Sequence, residues 1–335
     1  MFEMMQKLCG ILAPSGREYR ITAAIKDMVA PYVDEVKVDV LGNVVAKING
    51  TGENKKKILY LAHMDEVGFM VTYIEGNGYI RFTNMGGPNL VSAAYQEVIF
   101  ESGTRGHIVP HTGSDGNLNY STMVVDIGAK DKEEAKSMVK IGECFSALPH
   151  VTKLARTMIG GRPLDDRIGC VILLEAARLM SEGRKPYNDI YFAFTVQEET
   201  TANGSTVSAF DIRPDIGIAL DVCGTGDTIG AVPMETRCGD GAAILIRDST
   251  LVADRELVAT MFAVAEEKGI KHQTEVYTHG GTDAVPMQKV ARGAKASVIS
   301  IPMRYLHTSA EVLDLADAEA CRDLVLALSE HQYQF

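Results

Sequence analysis

The sequence contains no tryptophan, no Cys-x-x-Cys pair and no apolar run close to the roughly 20 residues that a membrane-spanning helix needs. Basic residues are also scarce: 33 Lys and Arg stand against 44 Asp and Glu, and the net charge is −11. Phosphate contacts need clustered basic side chains. The sequence therefore predicts no nucleic-acid partner and no membrane partner, and it lacks the spacing of a zinc ribbon or a thioredoxin motif.

The first residues show no basic segment followed by an apolar core, so we expect no secretion signal. The six cysteines are widely spread along the chain. Scattered cysteines of this kind are typical of free thiols in a reducing compartment. We therefore expect a cytoplasmic protein.

Two hydrophobic patterns divide the 335 residues. Residues 1–66 and 154–335 contain buried apolar runs that alternate with helical periodicity, as in an α/β domain. Residues 67–153 contain short alternating runs between Gly- and Asn-rich turns, spaced at about 8–12 residues as in a small β-barrel or sandwich. We therefore predict an α/β domain, 1–66 with 154–335, into which a β-rich domain, 67–153, is inserted.

The periodicity predicts individual elements along both parts. Helices are predicted at residues 3–12, 17–33, 130–139, from the loop after 161 to about 183, and at 205–210, 254–269 and 316–329. Strands of the α/β domain are predicted at residues 36–40, 44–48, 57–62, 190–196, 215–220, 273–277 and 296–301. Strands of the insertion are predicted at residues 68–74, 79–82, 96–100, 107–109 and 123–127.

Four of the buried strands lead to acidic or imidazole side chains, and a fifth such group opens a helix. These residues are His63, the pair Glu198-Glu199, Asp221, His307 and, at the helix start, Asp165. Active sites of open α/β sheets lie beyond the carboxyl ends of the strands, so we expect these groups to converge. Mixed nitrogen and oxygen donors suit Zn²⁺ or Co²⁺ better than Mg²⁺ or Ca²⁺. These candidate ligands outnumber those that one tetrahedral ion binds, and their number fits two ions bridged by a carboxylate.

Each motif also has a plain structural interpretation when it is considered alone. A Glu-Glu pair is commonly a solvated surface feature, and His63-x-Asp65 is commonly the polar end of a strand. Asp165 and Asp166 stand at a helix start, where the helix dipole favours a carboxylate cap. In the functional interpretation, His63 is a metal ligand, and Asp65 orients a ligand without contacting the metal itself.

Taken together and in this order, the motifs resemble those of the tetrahedral (TET) and glutamyl aminopeptidase family. They are His63-Met-Asp65-Glu-Val-Gly-Phe, Leu164-Asp-Asp-Arg-Ile-Gly169, Val196-Gln-Glu-Glu199, Asp221, Gly280-Gly-Thr-Asp-Ala284 and Arg304-Tyr-Leu-His307. Members of that family are dinuclear metallo-aminopeptidases, some of them also described as endoglucanase M-type cellulases. The resemblance implies a three-layer metallopeptidase domain with a mixed sheet, and an inserted PDZ-like β-barrel that serves dimerisation.

The resemblance also implies a role for each residue. Asp165 would bridge two divalent ions per subunit, with zinc favoured over cobalt. His63 and Asp221 would complete one ion site, and Glu199 and His307 the other. Glu198 would be the general base, and Asp65 would support His63.

The implied reaction is the removal of the N-terminal residue from peptides with a free N-terminus, by a metal-bridged water that the glutamate base activates. Dimers of such proteins commonly assemble into tetrahedral dodecamers. The sequence departs from the family after the glutamate pair, where Thr200-Thr-Ala-Asn-Gly204 replaces a Val-Gly stretch with a further glycine. That departure leaves the loop geometry and the residue preference open.

Three alternatives remain at this point. A deacylase or carboxypeptidase would use a similar metal set and would differ in its action on N-blocked peptides. A glycosidase needs two carboxylates on opposite sides of one sugar bond, which adjacent glutamates do not provide. The third alternative is a metal-bound structural or binding protein without activity. The choice between dimer and dodecamer also stays open.

Overall fold

The computed structural model describes residues 1–111 and 118–335. The helices in this part of the chain are Phe2–Cys9 (α1), Tyr19–Val29 (α2), Leu90–Ala93 (α3), Lys132–Met138 (α4), Arg167–Ser181 (α5), Glu198–Thr201 (α6), Asn203–Ile212 (α7), Arg255–Lys268 (α8), Ala284–Lys289 (α9) and Leu315–Glu330 (α10). Two short 3₁₀ turns lie at Ala30–Tyr32 and Tyr120–Thr122.

The strands of the same residues fall into a large sheet and a barrel. They are Glu35–Val38 (β1), Val44–Ile48 (β2), Lys57–His63 (β3), Gly68–Ile74 (β4), Ile80–Met85 (β5), Glu97–Phe100 (β6), Arg105–Pro110 (β7), Met123–Asp126 (β8), Cys144–Ala147 (β9), His150–Lys153 (β10), Met158–Arg162 (β11), Asp189–Thr195 (β12), Ile216–Cys223 (β13), Ala242–Arg247 (β14), His272–Val276 (β15), Lys295–Arg304 (β16) and Glu311–Asp314 (β17).

The large sheet is mixed and has a parallel centre. Its main path runs β1-β2-β12-β3-β13-β16-β17-β11-β10, and β14 branches from β16 and carries β15 at its other edge. The strands β12, β3, β13 and β16 are mutually parallel. Because parallel neighbours end at the same side of a sheet, the carboxyl ends of these four strands form one continuous edge.

Helices cover both faces of this sheet and make a three-layer domain. Within β3, Ile58 and Tyr60 belong to the hydrophobic cluster that includes residues of the helices α1, α2, α5, α8 and α10, whereas Leu59 and Leu61 belong to the cluster on the opposite face that includes residues of α7 and α9. Side chains of successive strand residues point to opposite faces, so a strand buried on both sides must be apolar throughout. The near-continuous apolar runs of the sequence follow from this arrangement.

The β-rich segment closes into a separate barrel with the strand order β4-β5-β8-β7-β6-β9. Its core is aromatic, with ring centroids 5.2 Å apart for Phe69 and Phe145 and 4.5 Å apart for Phe100 and Phe145. The barrel strands lie between Gly68 and Ala147. The next strand, β10, pairs antiparallel with β11 of the large sheet, although the predicted insertion extends to residue 153.

The predicted fold class, an α/β domain with a mixed sheet and an inserted small barrel, is confirmed. Five strands were not predicted: β9, β10, β11, β14 and β17. Of these, β11 contains two consecutive glycines and β17 has only four residues, so neither shows a clear apolar alternation. The second helix is also shorter than predicted, because Pro31 lacks an N–H and the chain changes to a 3₁₀ turn.

Among the described residues, no helix combines the length and the apolar character that crossing a bilayer would require.

Candidate metal centre

The candidate site lies at the carboxyl edge of the parallel strands. His63 is the last residue of β3 and pairs in register with Thr195, the last residue of β12. Asp221 lies near the end of β13, and His307 follows β16 by three residues. Glu198 opens the short helix α6 three residues after β12. The topology of the sheet therefore brings together side chains that are up to 244 positions apart, the separation of His63 from His307.

Asp165 stands between the two histidines. Its Oδ1 lies 3.1 Å from Nε2 of His63, and its Oδ2 lies 3.2 Å from Nε2 of His307. On the far side of His307, Oε2 of Glu199 lies 3.4 Å from the same Nε2. Each oxygen of one carboxylate thus faces a different imidazole, which is the arrangement that a bridging carboxylate needs.

The other half of the site surrounds His63. Its Nε2 lies 3.9 Å from Oε2 of Glu198 and 3.9 Å from Oδ1 of Asp221. Two ligands of one zinc ion, each bound at about 2.0–2.2 Å, lie no more than about 4.4 Å apart. These separations fall within that limit. We refer to His63, Asp165, Glu198, Glu199, Asp221 and His307 as the site cluster.

Both histidines present Nε2 to the site because main-chain carbonyls occupy Nδ1. Nδ1 of His63 lies 3.1 Å from the carbonyl oxygen of Asp65, and Nδ1 of His307 lies 3.0 Å from that of Gly87. A neutral imidazole that donates from Nδ1 keeps the Nε2 lone pair for a metal. Gly87 belongs to the segment between β5 and α3, so the inserted part of the chain helps to orient His307.

Asp65 connects the His63 strand to the glutamate pair. Its Oδ1 accepts a hydrogen bond from the main-chain N–H of Glu198 at 3.0 Å, and its Oδ2 accepts one from that of Glu199 at 3.2 Å. Its Oδ1 also lies 3.5 Å from Nδ1 of His63. The sequence predicts only the contact with His63, and the two bonds to the glutamates are an addition from the structure.

Of the two aspartates at the start of α5, one caps the helix and the other faces the candidate metal site. Asp166 caps the helix, since its Oδ1 accepts a hydrogen bond from the N–H of Gly169 at 3.0 Å and its Oδ2 one from the N–H of His63 at 3.3 Å. Asp166 lies close enough to His63 and Asp221 to share a cation with them, but both of its oxygens already have donors. Asp165 faces the site cluster instead.

The site cluster contains four carboxyl groups, more than its two histidines could balance if all of them were ionised. Burial raises the pKa values of Glu198 and Asp221 well above the usual range, and the pKa of Glu199 to about 7. Burial also opposes ionisation of Asp165, but hydrogen bonds with His307 and His63 outweigh it and lower the pKa of this carboxyl. Buried carboxylates without compensating charge are costly, and bound cations supply that compensation.

The chemistry of the donors fits divalent ions. Among the described residues, His63, Asp165 and Glu199 place one ligand atom each within 4.8 Å of one another, as do His63, Asp166 and Asp221. Among the described residues, one buried oxygen of Glu199, Oε1, has no hydrogen-bond partner. A bound cation would compensate a buried carboxylate oxygen of this kind.

The turn before the glutamates is held from both sides. Gln197 adopts a left-handed conformation with φ 58°, and its N–H donates to Oε1 of Glu18 at 3.0 Å. The preceding N–H, of Val196, donates to Oδ1 of Asn43 at 2.9 Å. In the divergent stretch 200–204, a Cβ on Gly204 would lie 2.4 Å from the carbonyl oxygen of Val196, so the glycine is required there.

Sequence reasoning missed two buried carboxylates next to the site. Asp283 accepts a hydrogen bond from the Thr195 hydroxyl at the end of β12. Glu311 accepts one from the N–H of Leu164 at 2.7 Å, directly before Asp165. Asp283 belongs to the family-like motif 280–284, so the sequence could have indicated that it lies near the site. No motif in the sequence around Glu311 distinguishes that residue.

The site cluster opens into a cavity of about 840 Å³ that is also lined by Leu245, Asp248, Glu275 and Tyr277. A space of this size accommodates a short peptide or a large side chain beside the candidate ligands.

Comparison with known proteins agrees with the geometry. Residues 42–324 match the family model of M42 glutamyl aminopeptidases. The chain is 39% identical to a putative aminopeptidase of Acetivibrio thermocellus, over 95% of this chain and 94% of that protein. It is also similar to a TET aminopeptidase structure from a marine-sediment Thaumarchaeota archaeon, with TM-score 0.94 and 32% identity over 99% of this chain and 96% of that one.

A second similar structure is the TET1 peptidase of Pyrococcus horikoshii, which can assemble into a tetrahedron or a large octahedral shell. The TM-score is 0.87 and the identity 32%, over 98% of this chain and 99% of that one. The family match covers most of the chain, and the relatives match it from end to end. The chain therefore belongs to the M42 glutamyl aminopeptidase family and is a peptide hydrolase of the aminopeptidase type.

Proposed function

We propose that this aminopeptidase depends on two divalent metal ions, zinc or cobalt, and that Glu198 is its general base. The observation that carries the proposal is the position of Asp165, whose two oxygens lie 3.1 Å and 3.2 Å from Nε2 of His63 and His307. In the proposed site, Asp165 would bridge the ions, His63 and Asp221 would hold one of them, and Glu199 and His307 would hold the other.

The ions would polarise the scissile carbonyl and lower the pKa of a water molecule beside it. Glu198 accepts the proton of that attacking water and delivers it to the leaving amine. Asp65 fixes the main chain of Glu198, so the base stays in place while the neighbouring Glu199 serves as a ligand. The free α-amino group of a peptide would bind one of the ions, which would confine cleavage to the first residue.

The direct test compares aminoacyl p-nitroanilides with their N-acetylated forms, before and after chelation and after zinc or cobalt is restored. We expect turnover of the free-amine substrates alone, complete dependence on the added ion, and two ions per chain by metal analysis. Equal turnover of the N-acetylated substrates would favour a deacylase. Full activity in chelator would contradict the metal dependence.

We further propose that the chain self-associates and that residues 67–153 form the dimerisation domain, with a tetrahedral dodecamer as the complete assembly. The support is the assembly described for the Pyrococcus horikoshii relative, together with the separate core of the barrel. Light scattering on the purified protein tests this proposal. A particle of 36.3 kDa, the mass of one chain, would contradict it.

A further inference from the structure

The cavity beside the site cluster contains two acidic residues that the proposed mechanism does not use. Glu275 lies in β15, and Asp248 directly follows β14. Both line the cavity, yet only 2% of Glu275 and 3% of Asp248 is exposed. The strands β14 and β15 form the branch of the large sheet, and β14 joins it through β16.

Neither carboxyl group is fully paired. Oε2 of Glu275 and Oδ2 of Asp248 are buried and have no hydrogen-bond partner among the described residues. The other oxygen of Asp248 accepts hydrogen bonds from the N–H groups of Thr250 and Leu251, each at 2.6 Å. Burying an unpaired carboxylate costs roughly several kcal/mol. A bound cation would offset this cost for both residues.

Glu275 lies within reach of the strands that hold the site cluster. Its carboxyl group interacts with the Ser300 hydroxyl, and Ser300 is the register partner of Asp221 on the neighbouring strand. Adjacent strands are about 4.8 Å apart. The apolar side chain of Leu245 and the ring of Tyr277 line the same cavity. An extended side chain that starts at the site cluster can therefore cross an apolar wall and end at the two acids.

We propose that Glu275 and Asp248 bind the positively charged end of the substrate's first side chain, so that the enzyme prefers peptides that begin with lysine or arginine. The inference rests on the proposed function, because it places the first residue of a peptide in this cavity. A lysine ammonium offers three donors and an arginine guanidinium five, which the two carboxylates can accept. A neutral side chain would leave both acids unpaired, and an acidic one would be repelled.

Among the described residues, neither Lys289 nor His279, the basic side chains that line the cavity outside the site cluster, forms an ion pair with these two acids. Lys289 also lines it but is exposed to solvent, where water and salt screen its charge. His279 lines the cavity as well and is likewise exposed, and its Nδ1 lies 2.9 Å from the Thr278 hydroxyl. Burial raises the pKa of Glu275 to about 7, and the charge of Asp248 adds to this increase.

The test measures kcat/KM of the metal-loaded enzyme on lysyl, arginyl, norleucyl and glutamyl p-nitroanilides. Norleucine has the lysine stem without the ammonium group, so the lysine-to-norleucine ratio isolates the charge. We expect a ratio of at least about tenfold in the wild type, with the glutamyl substrate cleaved most slowly. The variants Glu275→Gln and Asp248→Asn keep the side-chain shape, and each should lower the ratio at least about tenfold, mainly through KM for the lysyl substrate.

Glu267→Gln, on the exposed face of α8, removes one negative charge outside the cavity and is the matched control. An apolar or acidic preference in the wild type would overturn the proposal, as would an unchanged ratio in both folded cavity variants. If no substrate is cleaved, the proposed function is wrong. Calorimetry then measures separately how tightly free L-lysine and free L-norleucine bind to the metal-loaded protein. Equal affinities for the two would overturn the inference.

Discussion

Two clusters of buried charge lie on either side of the segment from His63 to Glu66. In the first, Glu66 accepts hydrogen bonds from the Ser146 hydroxyl at 2.9 Å and from Nη2 of Arg162 at 3.2 Å, and Nη2 of Arg167 lies 3.5 Å away. This Glu66 cluster joins the barrel strand β9 to β11 and α5 of the large domain. Its carboxylate is surrounded by positive charge.

The site cluster is less completely buried, with 35% of the His307 side chain exposed, and it has the opposite charge balance. Carboxyl groups outnumber imidazoles, several of the carboxyl pKa values are raised, and one oxygen of Glu199 has no hydrogen-bond donor among the described residues. Residues 63–66 therefore contribute a side chain to each cluster: His63 to the site cluster and Glu66 to the Glu66 cluster. A buried charge that is paired within the chain supports the fold, whereas one that is left unpaired is available to an ion or a substrate. Substitutions in the two clusters should therefore affect different properties.

Among the substitutions, the largest effect on turnover is expected for Glu198→Gln in the site cluster. Loss of the general base should lower kcat by about 10²–10⁴-fold, while the amide keeps the size of the side chain and the metal content stays at two ions per chain. Steady-state kinetics and metal analysis on the same sample measure both quantities. Glu182→Gln, on the surface beside Arg178, is the control. Turnover within a few-fold of the wild type would remove Glu198 from the role of base.

Glu66→Gln should affect stability before activity. The substitution leaves Arg162 and Arg167 buried without their carboxylate, and breaking a buried pair in this way costs about 3–5 kcal/mol. The midpoint of denaturant unfolding measures the loss. The exposed pair of Glu133 and Lys136 provides the control Glu133→Gln, which should leave the midpoint nearly unchanged. Similar midpoints for the two variants would show that the Glu66 cluster does not stabilise the fold.

Removal of metal should affect the site cluster and leave the Glu66 cluster unchanged, so it distinguishes the two clusters without a substitution. Chelation should abolish turnover and lower the melting temperature, because ions bound to the folded state contribute about 2.7 kcal/mol at a free concentration 100 times their Kd. Thermal melting with and without zinc measures the shift. The Glu66→Gln variant should show the same shift, since its cluster binds no ion. A melting temperature that zinc does not change would contradict an ion in the site cluster.

The smallest effect is expected for Asp65→Asn. The amide keeps one acceptor for the glutamate N–H groups and loses the other, so the ligands should shift and kcat/KM should fall by about 10–100-fold. Asp131→Asn alters a comparable helix cap in α4 of the inserted segment and is the control. Equal kinetics for Asp65→Asn and the wild type would limit Asp65 to a structural role.

The sequence predicted the α/β fold class, the inserted barrel and the six members of the site cluster, and their roles remain predictions. Strong apolar runs mark the central strands, because a strand that is buried on both faces must be apolar throughout. Short or glycine-containing strands, such as β17 and β11, were missed because their pairing depends on neighbours far away in the chain. Asp65 was assigned to His63 alone, since its bonds to the glutamates exist only after β3 and β12 pair.

By itself, the sequence determined which histidines and carboxylates follow the buried strands, because residues at strand ends are local features of the chain. The tertiary structure alone decided how their charges are balanced. Tertiary packing places Arg162 and Arg167 beside Glu66 and, among the described residues, leaves Glu275 and Asp248 without a paired cation. Charge pairing in a protein interior depends on distances of a few ångströms between distant segments, and such distances cannot be read from residue order.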